Sequence, residues 1–346
     1  MSLGPESPRE EQGFLGLGPP IMAVSPTPQQ REYGNGSATE GRLNESEVSG
    51  TPGGFHFSEH VLDVWMHVFS LLVASLGLLG NGTVLWLLGF RIQRTPFSVY
   101  ILNLAGADTL FLCCSLLLSL MNLLTCVYPI TYNVVAYLQY MFYIASLNLL
   151  SAITTERCLS VLFPIWYQCL RSKHMSAKVC SGIWALAGMT EVIEFVTRNY
   201  VFPHSFCPNF FIIHFLWFLL LTCVMCVSSL TLLLRVQCSS RRRRLPRLYL
   251  LVMLTVLVFL LFGLPLGLQD FINDRFKIDF MPFSLFQSLA CVNSCMNPFI
   301  YFFVGKQGHK GRESLRLVLQ RALGEEQEVG GGMRDIPHTN TQETSS

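Results

Sequence analysis

Polar and charged side chains interrupt long apolar runs at a few positions in this 346-residue chain, and they are the first candidates for chemistry. Asn81 and Asp108 each lie in the middle of such a run. An unpaired carboxylate is not tolerated in hydrocarbon, where a charge costs at least ~3 kcal/mol, so it marks a functional site by default. Asp108 is therefore predicted to belong to such a site. The alternative is a hydrogen-bonded polar cluster that holds no ion.

An acid and a base, Glu156 and Arg157, follow one another where the third apolar run ends. Two adjacent charges cannot lie deep in hydrocarbon for the same reason. The pair is therefore predicted to lie where a helix leaves the bilayer.

Two prolines lie inside the last two apolar runs. Pro265 occurs in LFGLPLG, and Pro298 occurs in the segment Asn297-Pro298-Phe299-Ile300-Tyr301. Proline removes a backbone hydrogen bond and clashes with the preceding turn, so each run is predicted to kink there.

The sequence offers no arrangement typical of an enzyme. It contains no recognisable nucleophile–base pair, phosphate-binding loop or paired metal-ligand spacing. Most of the twelve cysteines lie in apolar runs, where small buried side chains are the expected interpretation. The protein is predicted to have no catalytic activity, to need no cofactor apart from a candidate sodium ion, and to bind no nucleic acid.

The elements that position these residues are predicted to be membrane helices. The chain is 51% apolar and only 13% charged, whereas soluble domains carry about 25% charged residues. Each apolar run is close to the ~20 residues that a helix needs to cross a bilayer, and none alternates with the period of two typical of barrel strands. The predicted fold class is an all-α membrane protein, a seven-transmembrane helix bundle with a short amphipathic eighth helix. The runs lie at 62–90, 97–124, 133–162, 177–198, 209–236, 247–272 and 280–304.

The loops predict the orientation. Eleven basic residues lie in the loops after the first, third and fifth runs, and three lie in the alternate loops. The positive-inside rule then places the N-terminus outside the cell and the C-terminus in the cytosol.

Three regions follow from this organisation. Residues 1–58 are rich in Gly, Pro, Ser and Glu and are predicted to form a disordered extracellular tail, with glycosylation sequons at Asn35 and Asn44. Residues 59–304 form the bundle. Residues 305–346 begin with an amphipathic helix over 305–323, whose basic residues are predicted to face anionic lipid headgroups, with a solvated helix as the alternative.

These motifs, in these runs and in this order, resemble those of rhodopsin-like G protein-coupled receptors. The string TERCLSVLFPIWY around Glu156 resembles the Mas-related subfamily, and the resemblance covers about residues 62–325. It implies a plasma-membrane receptor that binds an extracellular ligand and activates a heterotrimeric G protein. In such receptors the arginine matched by Arg157 contacts the G protein, the span matched at Pro265 swings outward, and the tyrosine matched by Tyr301 turns inward.

The resemblance also implies a sodium site and an arrestin partner. Receptors of this class place a sodium ion at positions that match Asp108, Ser146, Asn293 and Asn297, and hard cations prefer such oxygen ligands. The tail residues from Thr339 to Ser346 include five hydroxyls whose phosphorylation would recruit an arrestin. A merely polar tail is the alternative.

Several positions depart from the class pattern. Cys158 replaces the usual tyrosine after the arginine, and Gly263 replaces the tryptophan two residues before Pro265. No acid stands at the start of the sixth run, so Arg157 lacks the partner on that run that restrains it in most of the class.

The resemblance places a ligand pocket at the outer ends of the helices. Glu194 matches an acid that Mas-related receptors use for cationic ligands, and it shares a helix face with Glu191. Phe211 stands where those receptors have a companion acid, and Asp270 is the candidate substitute. A basic peptide or amine is the implied ligand, and solvated helix-end carboxylates are the alternative.

A disulfide is a further hypothesis. In some Mas-related members a disulfide joins the outer ends of helices four and five, and Cys207 matches one of the two cysteines. Cys126 is the remaining outward cysteine, so a Cys126–Cys207 bridge is the hypothesis and two free thiols are the alternative.

Two other functions stay open from the sequence. A transporter or channel would show internal repeats and several interior charges, and neither is evident. A receptor-like partner subunit without a ligand of its own is the other alternative.

Overall fold

The described part of the chain in a computed structural model is entirely helical. It comprises residues 53–93, 95–125, 128–170, 174–200, 207–238, 247–276, 281–307, 311 and 313–323. The helices are α1 (Gly53–Trp86), α2 (Pro96–Leu123), α3 (Pro129–Leu162), α4 (Pro164–Leu170), α5 (Met175–Tyr200), α6 (Cys207–Cys238), α7 (Arg247–Val258), α8 (Leu264–Phe276), α9 (Phe283–Lys306) and α10 (Leu315–Ala322), with π turns at Leu87–Arg91 and Phe259–Gly263.

Seven helical segments in these residues are long and apolar enough to cross a membrane, which confirms the predicted fold class. We call them spans 1 to 7. Spans 1 to 5 are formed by α1 with its π turn, α2, α3, α5 and α6, span 6 by α7 and α8 with the π turn between them, and span 7 by α9.

Several helices begin a few residues before or after the position expected from hydropathy. The first helix begins at Gly53, inside the region predicted to be a disordered tail. Span 3 begins at Pro129 rather than 133, because proline is favoured in the first helical turn and hydropathy does not report this preference. Span 7 begins at Phe283, after Pro282.

Span 3 lies at the centre of the bundle and contributes to two apolar clusters. Ala145, Leu149 and Ile153 pack in the cluster that also contains Tyr301. Ile144 and Leu147 of the same helix pack in the other cluster. Large apolar side chains are exposed on the outside of the bundle, which suits a lipid environment rather than water. They include Leu72 and Leu79 of span 1, Ile213 of span 5 and Phe303 of span 7.

Spans 1 and 7 approach closely because span 1 carries glycine at the contact. A Cβ atom at Gly80 would lie 3.1 Å from Pro298 of span 7, and small residues permit such close helix packing in membranes. The Asn81 amide therefore reaches across and donates to the Ser294 carbonyl at 3.0 Å, while also bonding the Gly77 carbonyl at 3.0 Å. Asn81 thus joins the two spans.

Span 6 contains a π turn immediately before its proline. The Leu264 N–H donates to the Phe259 carbonyl, five residues back. Turns of this kind often occur at functional positions within longer helices. The hydroxyl of Tyr143 on span 3 donates to the Gly263 carbonyl at 3.0 Å, so span 3 satisfies a backbone acceptor at the irregularity.

The last described helix is shorter than expected, and one of its basic residues is buried instead of pointing outward. The amphipathic helix was predicted over 305–323 with basic residues toward lipid headgroups, but α9 continues to Lys306 and α10 has only eight residues. Arg321 is buried and makes two hydrogen bonds with Glu313, at 2.6 and 3.2 Å. This arginine faces inward because Glu313 neutralises it, so its predicted contact with headgroups is wrong.

Candidate functional site

The candidate residues lie at the two ends of the bundle and at its centre. We call the end at which span 3 finishes with Arg157 the arginine end. We call the opposite end, which includes His214 near the start of span 5, the histidine end. Because successive spans run in opposite directions, residues from distant parts of the sequence meet at each end.

At the arginine end, Arg157 has two neighbours with different chemistry. Its guanidinium nitrogen Nη2 lies 3.6 Å from Oε1 of Glu156. The guanidinium carbon also lies 4.3 Å from the ring centroid of Phe97, at the start of span 2. A cation over an aromatic face is stabilised by the ring quadrupole. Contacts within span 3 and with span 2 therefore hold the arginine.

Glu156 contacts tyrosines of two other helices. Tyr167 of α4 donates a hydrogen bond to Oε1 of Glu156, and Tyr100 of span 2 lies beside the same carboxylate. These contacts attach the short helix α4 to the end of span 3. The adjacent arginine is thereby positioned between span 2 and α4.

The centre of the bundle contains a buried polar cluster around Asp108. The Ser146 hydroxyl donates to Oδ1 of Asp108 at 3.0 Å, and the Asn297 amide donates to Oδ2 at 2.7 Å. Ser294 of span 7 lies beside the same carboxylate. Asp108 is fully buried, so spans 2, 3 and 7 meet at a carboxylate whose two oxygens both accept hydrogen bonds.

Tyr301 of span 7 is fully buried in the apolar cluster near the arginine end. Its hydroxyl makes no hydrogen bond to any residue in the described part of the chain. Leaving a buried hydroxyl unsatisfied costs about 1–3 kcal/mol. The side chain is therefore held by packing alone in this arrangement.

At the histidine end, two glutamates of span 4 meet a histidine of span 5. Nδ1 of His214 lies 3.4 Å from Oε2 of Glu194, and its Nε2 lies 3.9 Å from Oε1 of Glu191. All three residues are less than 10% exposed. Glu191 and Glu194 share a helix face because they are three residues apart.

Aromatic side chains surround this acidic group. A pocket is lined by Glu194, His214 and five further residues of spans 3, 5 and 6. The rings of Tyr140 and His214 meet edge to face, with centroids 5.8 Å apart. The site therefore combines negative charge with an apolar, largely aromatic wall. The five further lining residues are Tyr140, Phe215, Phe218, Gly267 and Phe271.

Comparison with known proteins decides the family. Residues 80–301 match the family model of the 7 transmembrane receptor (rhodopsin family). The chain is 45% identical to the Mas-related G-protein coupled receptor member A of Rattus norvegicus over 310 residues, which cover 85% of this chain and 97% of that protein. It is 45% identical to member X2 of Homo sapiens over 275 residues (75% and 83%), and 41% identical to member A1 of Mus musculus over 304 residues (84% and 98%).

The chain belongs to the Mas-related G protein-coupled receptors. It is therefore a multi-pass plasma-membrane receptor that responds to an extracellular ligand and couples to a G protein. The transporter, channel and partner-subunit alternatives are not favoured. The predicted family and receptor function are confirmed.

The receptor brings most of the predicted polar cluster together. Asp108, Ser146 and Asn297 meet as expected. Asn293 lies against Gly263 of span 6, where a Cβ atom on that glycine would be 3.3 Å from the Asn293 amide carbon, and its part in a sodium site stays a prediction. Ser294 takes part in the cluster and was not predicted, although it precedes Asn297 by three residues and so shares its helix face.

Several predicted residues of the receptor lie outside what the structure describes. They are Asn35, Asn44 and Cys126 as whole residues, and the side chains of Cys207, Phe211 and Asp270. The glycosylation, disulfide and second-acid predictions therefore stay predictions.

The receptor also uses residues that sequence reasoning did not select. His214 completes the group at Glu194, and Tyr167 holds Glu156. His214 could have been noticed as a polar residue inside an apolar run. Tyr167 had no comparable signal, because its contact depends on the turn at Phe163 and Pro164. Trp184 of span 4 donates from its indole nitrogen to Oδ1 of Asn103 on span 2 at 3.1 Å.

Proposed function

We propose that this receptor binds a cationic ligand, a basic peptide or an amine, in the pocket at the histidine end. The observation that carries the proposal is the burial of Glu194 in an aromatic-walled pocket, with Glu191 buried on the other side of His214. Two carboxylates and one imidazole leave the group with excess negative charge whichever form the imidazole takes. A buried excess charge is costly, so a positively charged ligand group binds favourably there.

The histidine end faces the outside of the cell in this proposal. Eleven basic residues in the loops at the arginine end, against three at the other, support a cytosolic arginine end. The N-terminal tail is then extracellular, where Asn35 and Asn44 are accessible for glycosylation. The C-terminal tail is cytosolic, and its phosphorylated hydroxyls recruit an arrestin.

A continuous set of contacts leads from the pocket to the π turn of span 6. His214 touches Tyr140, whose ring centroid lies 5.8 Å from that of Tyr143. The Tyr143 hydroxyl bonds the Gly263 carbonyl. A ligand that displaces His214 or Tyr140 changes the support of the π turn. It stabilises the signalling state if it binds that state more tightly than the resting one.

The G protein binds at the arginine end in this proposal. Outward movement of α7 opens a cleft beside Arg157, and the guanidinium leaves Phe97 and Glu156 to contact the G protein. Tyr301 turns toward the same cleft, where its hydroxyl gains a partner.

A sodium ion bound by Asp108, Ser146, Ser294 and Asn297 is a second proposal about the same signalling cycle. A carboxylate, two hydroxyls and an amide carbonyl are the oxygen ligands that a hard cation prefers. In the present arrangement Asn297 directs its nitrogen toward Asp108, so the amide must turn to offer its oxygen. Replacing sodium with choline should change agonist affinity in the receptor and not in Asp108→Asn.

Substitution of Glu194 tests the ligand proposal. Glu194→Gln removes one charge and keeps the shape, so potency of an active basic peptide or amine should fall at least about tenfold, or ~1.4 kcal/mol. Asp63→Asn is the matched control, because Asp63 lies at the same end on span 1 outside the pocket. G protein activation is measured at equal surface expression. Unchanged potency in Glu194→Gln would refute the proposal.

A further inference from the structure

Glu191, Glu194 and His214 together form a candidate metal centre. One ligand atom from each residue can be chosen so that all three atoms lie within 4.8 Å of one another. Two elements supply them, span 4 and span 5. The remaining wall of the pocket is mainly aromatic.

The three side chains are near enough to converge on one zinc ion. Zinc binds histidine nitrogen and carboxylate oxygen at about 2.0–2.2 Å in tetrahedral sites, which places neighbouring ligand atoms about 3.3–3.5 Å apart. Nδ1 of His214 lies 3.4 Å from Glu194, whereas Glu191 lies 3.9 Å from the other ring nitrogen, Nε2, and one ion binds only one of these nitrogens. Because one ligand atom from each residue lies within 4.8 Å of the others, rotation of one glutamate side chain toward the ring nitrogen that faces the other glutamate closes the site.

The charges fit a divalent cation. Two carboxylates and a neutral imidazole carry a charge of −2, which zinc neutralises completely. A protonated imidazole neutralises only half of it. Because the site is largely removed from water, the neutral arrangement is favoured over one with residual charge.

The three protein ligands leave one coordination position of the zinc ion open. Zinc sites with three protein ligands keep a fourth position open for water or an incoming group. The pocket reaches Glu194 and His214 directly, which gives the ion an entry path. Apolar walls such as Tyr140 and Phe215 limit competing water around the ion.

We propose that this receptor binds a zinc ion through Glu191, Glu194 and His214, and that zinc and a cationic ligand compete for the same carboxylates. The zinc site does not depend on the identity of the ligand. It makes the receptor responsive to extracellular zinc, provided that the histidine end faces outward.

Direct binding to the purified full-length receptor tests the site. Zinc chloride is titrated against receptor in lipid nanodiscs in competition with a chelating dye, so that no signalling readout is needed. His214→Gln and Glu191→Gln should each weaken the tightest zinc binding by at least about tenfold, since even changes outside the first coordination shell cost 10–100-fold. His214→Cys should retain binding, because a thiolate also coordinates zinc.

His67→Gln is the matched control. His67 lies at the same end, 3.8 Å from one carboxylate, that of Asp63, rather than between two. Its substitution should leave zinc affinity unchanged. Thermal unfolding of each variant without zinc verifies that the protein is folded.

Two outcomes would overturn the proposal. One is the absence of saturable zinc binding by the native receptor. The other is equal affinity in the native receptor and in folded His214→Gln, which would place the ion elsewhere. The zinc proposal and the ligand proposal can fail separately. Loss of zinc binding in Glu191→Gln would support the zinc site. Unchanged agonist potency in Glu194→Gln would refute the ligand proposal.

Discussion

At the scale of single residues, Arg157 and Tyr301, the two side chains proposed to move on activation, are held by different forces. Arg157 is held by a carboxylate of its own helix and by an aromatic face. Tyr301 is held only by packing, with its hydroxyl unsatisfied by any described residue. The first arrangement stabilises a charge, whereas the second leaves a polar atom that another conformation can satisfy.

Replacing Arg157 with alanine should abolish most agonist-stimulated G protein activation, because the proposed contact with the G protein is lost. Arg91→Ala is the matched control, since Arg91 also lies over an aromatic ring, Trp86, at 5.1 Å. G protein activation is compared at equal surface expression. Undiminished activation in Arg157→Ala would contradict the assigned role.

Replacing Tyr301 with phenylalanine should have opposite effects on stability and signalling. Removing an unsatisfied hydroxyl avoids a cost of about 1–3 kcal/mol, so the thermal stability of the ligand-free receptor should stay equal or rise. Agonist-stimulated activation should fall, because the hydroxyl has no partner to gain. Tyr143→Phe provides the contrast, since it removes the hydrogen bond to Gly263 and should lower stability by about 1 kcal/mol. A clear loss of stability in Tyr301→Phe would show that its hydroxyl is already satisfied.

Residue types predicted Asp108 and Arg157, because a charge inside an apolar run or at its end is rare and needs a reason, and the resemblance to the receptor class added Asn297. They did not predict that His214 meets Glu194 or that Tyr167 meets Glu156. These pairs are distant in sequence, and their contact depends on how each helix is rotated about its axis. Periodicity within a single run does not contain that rotation.

At the scale of elements, span 6 is the least regular of the seven in the described residues. It combines a π turn, Gly263 and Pro265 within seven residues. The sequence identified the proline, and hence the place where this span departs from an ideal helix. It did not identify the π turn. An α turn and a π turn differ only in whether a carbonyl accepts from the N–H four or five residues ahead, and hydropathy does not report this difference.

Gly263→Ala tests how tightly this turn is packed. An added Cβ atom would lie 2.6 Å from Phe259 and 3.3 Å from Asn293. Overpacking of this kind costs typically 1–3 kcal/mol, so we expect a corresponding loss of thermal stability. Gly182→Ala is the control, since nothing lies within 4 Å of a Cβ atom there, and it should be neutral or stabilising by about 0.5–1 kcal/mol. Equal stability of the two variants would mean that span 6 adjusts freely.

At the scale of the whole molecule, the composition of span 6 bears on how the arginine end is restrained. The first twelve residues of span 6, Arg247–Val258, contain no acid. Arg157 contacts Glu156 of its own helix and the ring of Phe97 on span 2. Hydropathy and motif order were enough to predict the seven-helix architecture and the family from the sequence. The pocket could not be predicted in this way, because its lining depends on how spans 3 to 6 are placed relative to one another.

The lack of an acid at the start of span 6 predicts measurable signalling without ligand, because the partner that restrains the matched arginine in most of the class is missing there. Cells that express the receptor should show G protein activation above mock-transfected cells, and Arg157→Ala should remove the excess. The readout is nucleotide exchange on the G protein at several expression levels. Activation that never exceeds the mock value, at any level of surface receptor, would show that other contacts hold the resting state closed.

The π turn at Phe259–Gly263 has a consequence for how residues of span 6 are matched between proteins. Such a turn accommodates one extra residue, and one residue corresponds to about 100° of rotation around a helix. If a homologue has a straight α-helix here, counting residues past Gly263 assigns side chains to the wrong side of α8. A sequence alignment across this segment should therefore carry a one-residue gap within the π turn before positions from Leu264 to Phe276 are equated.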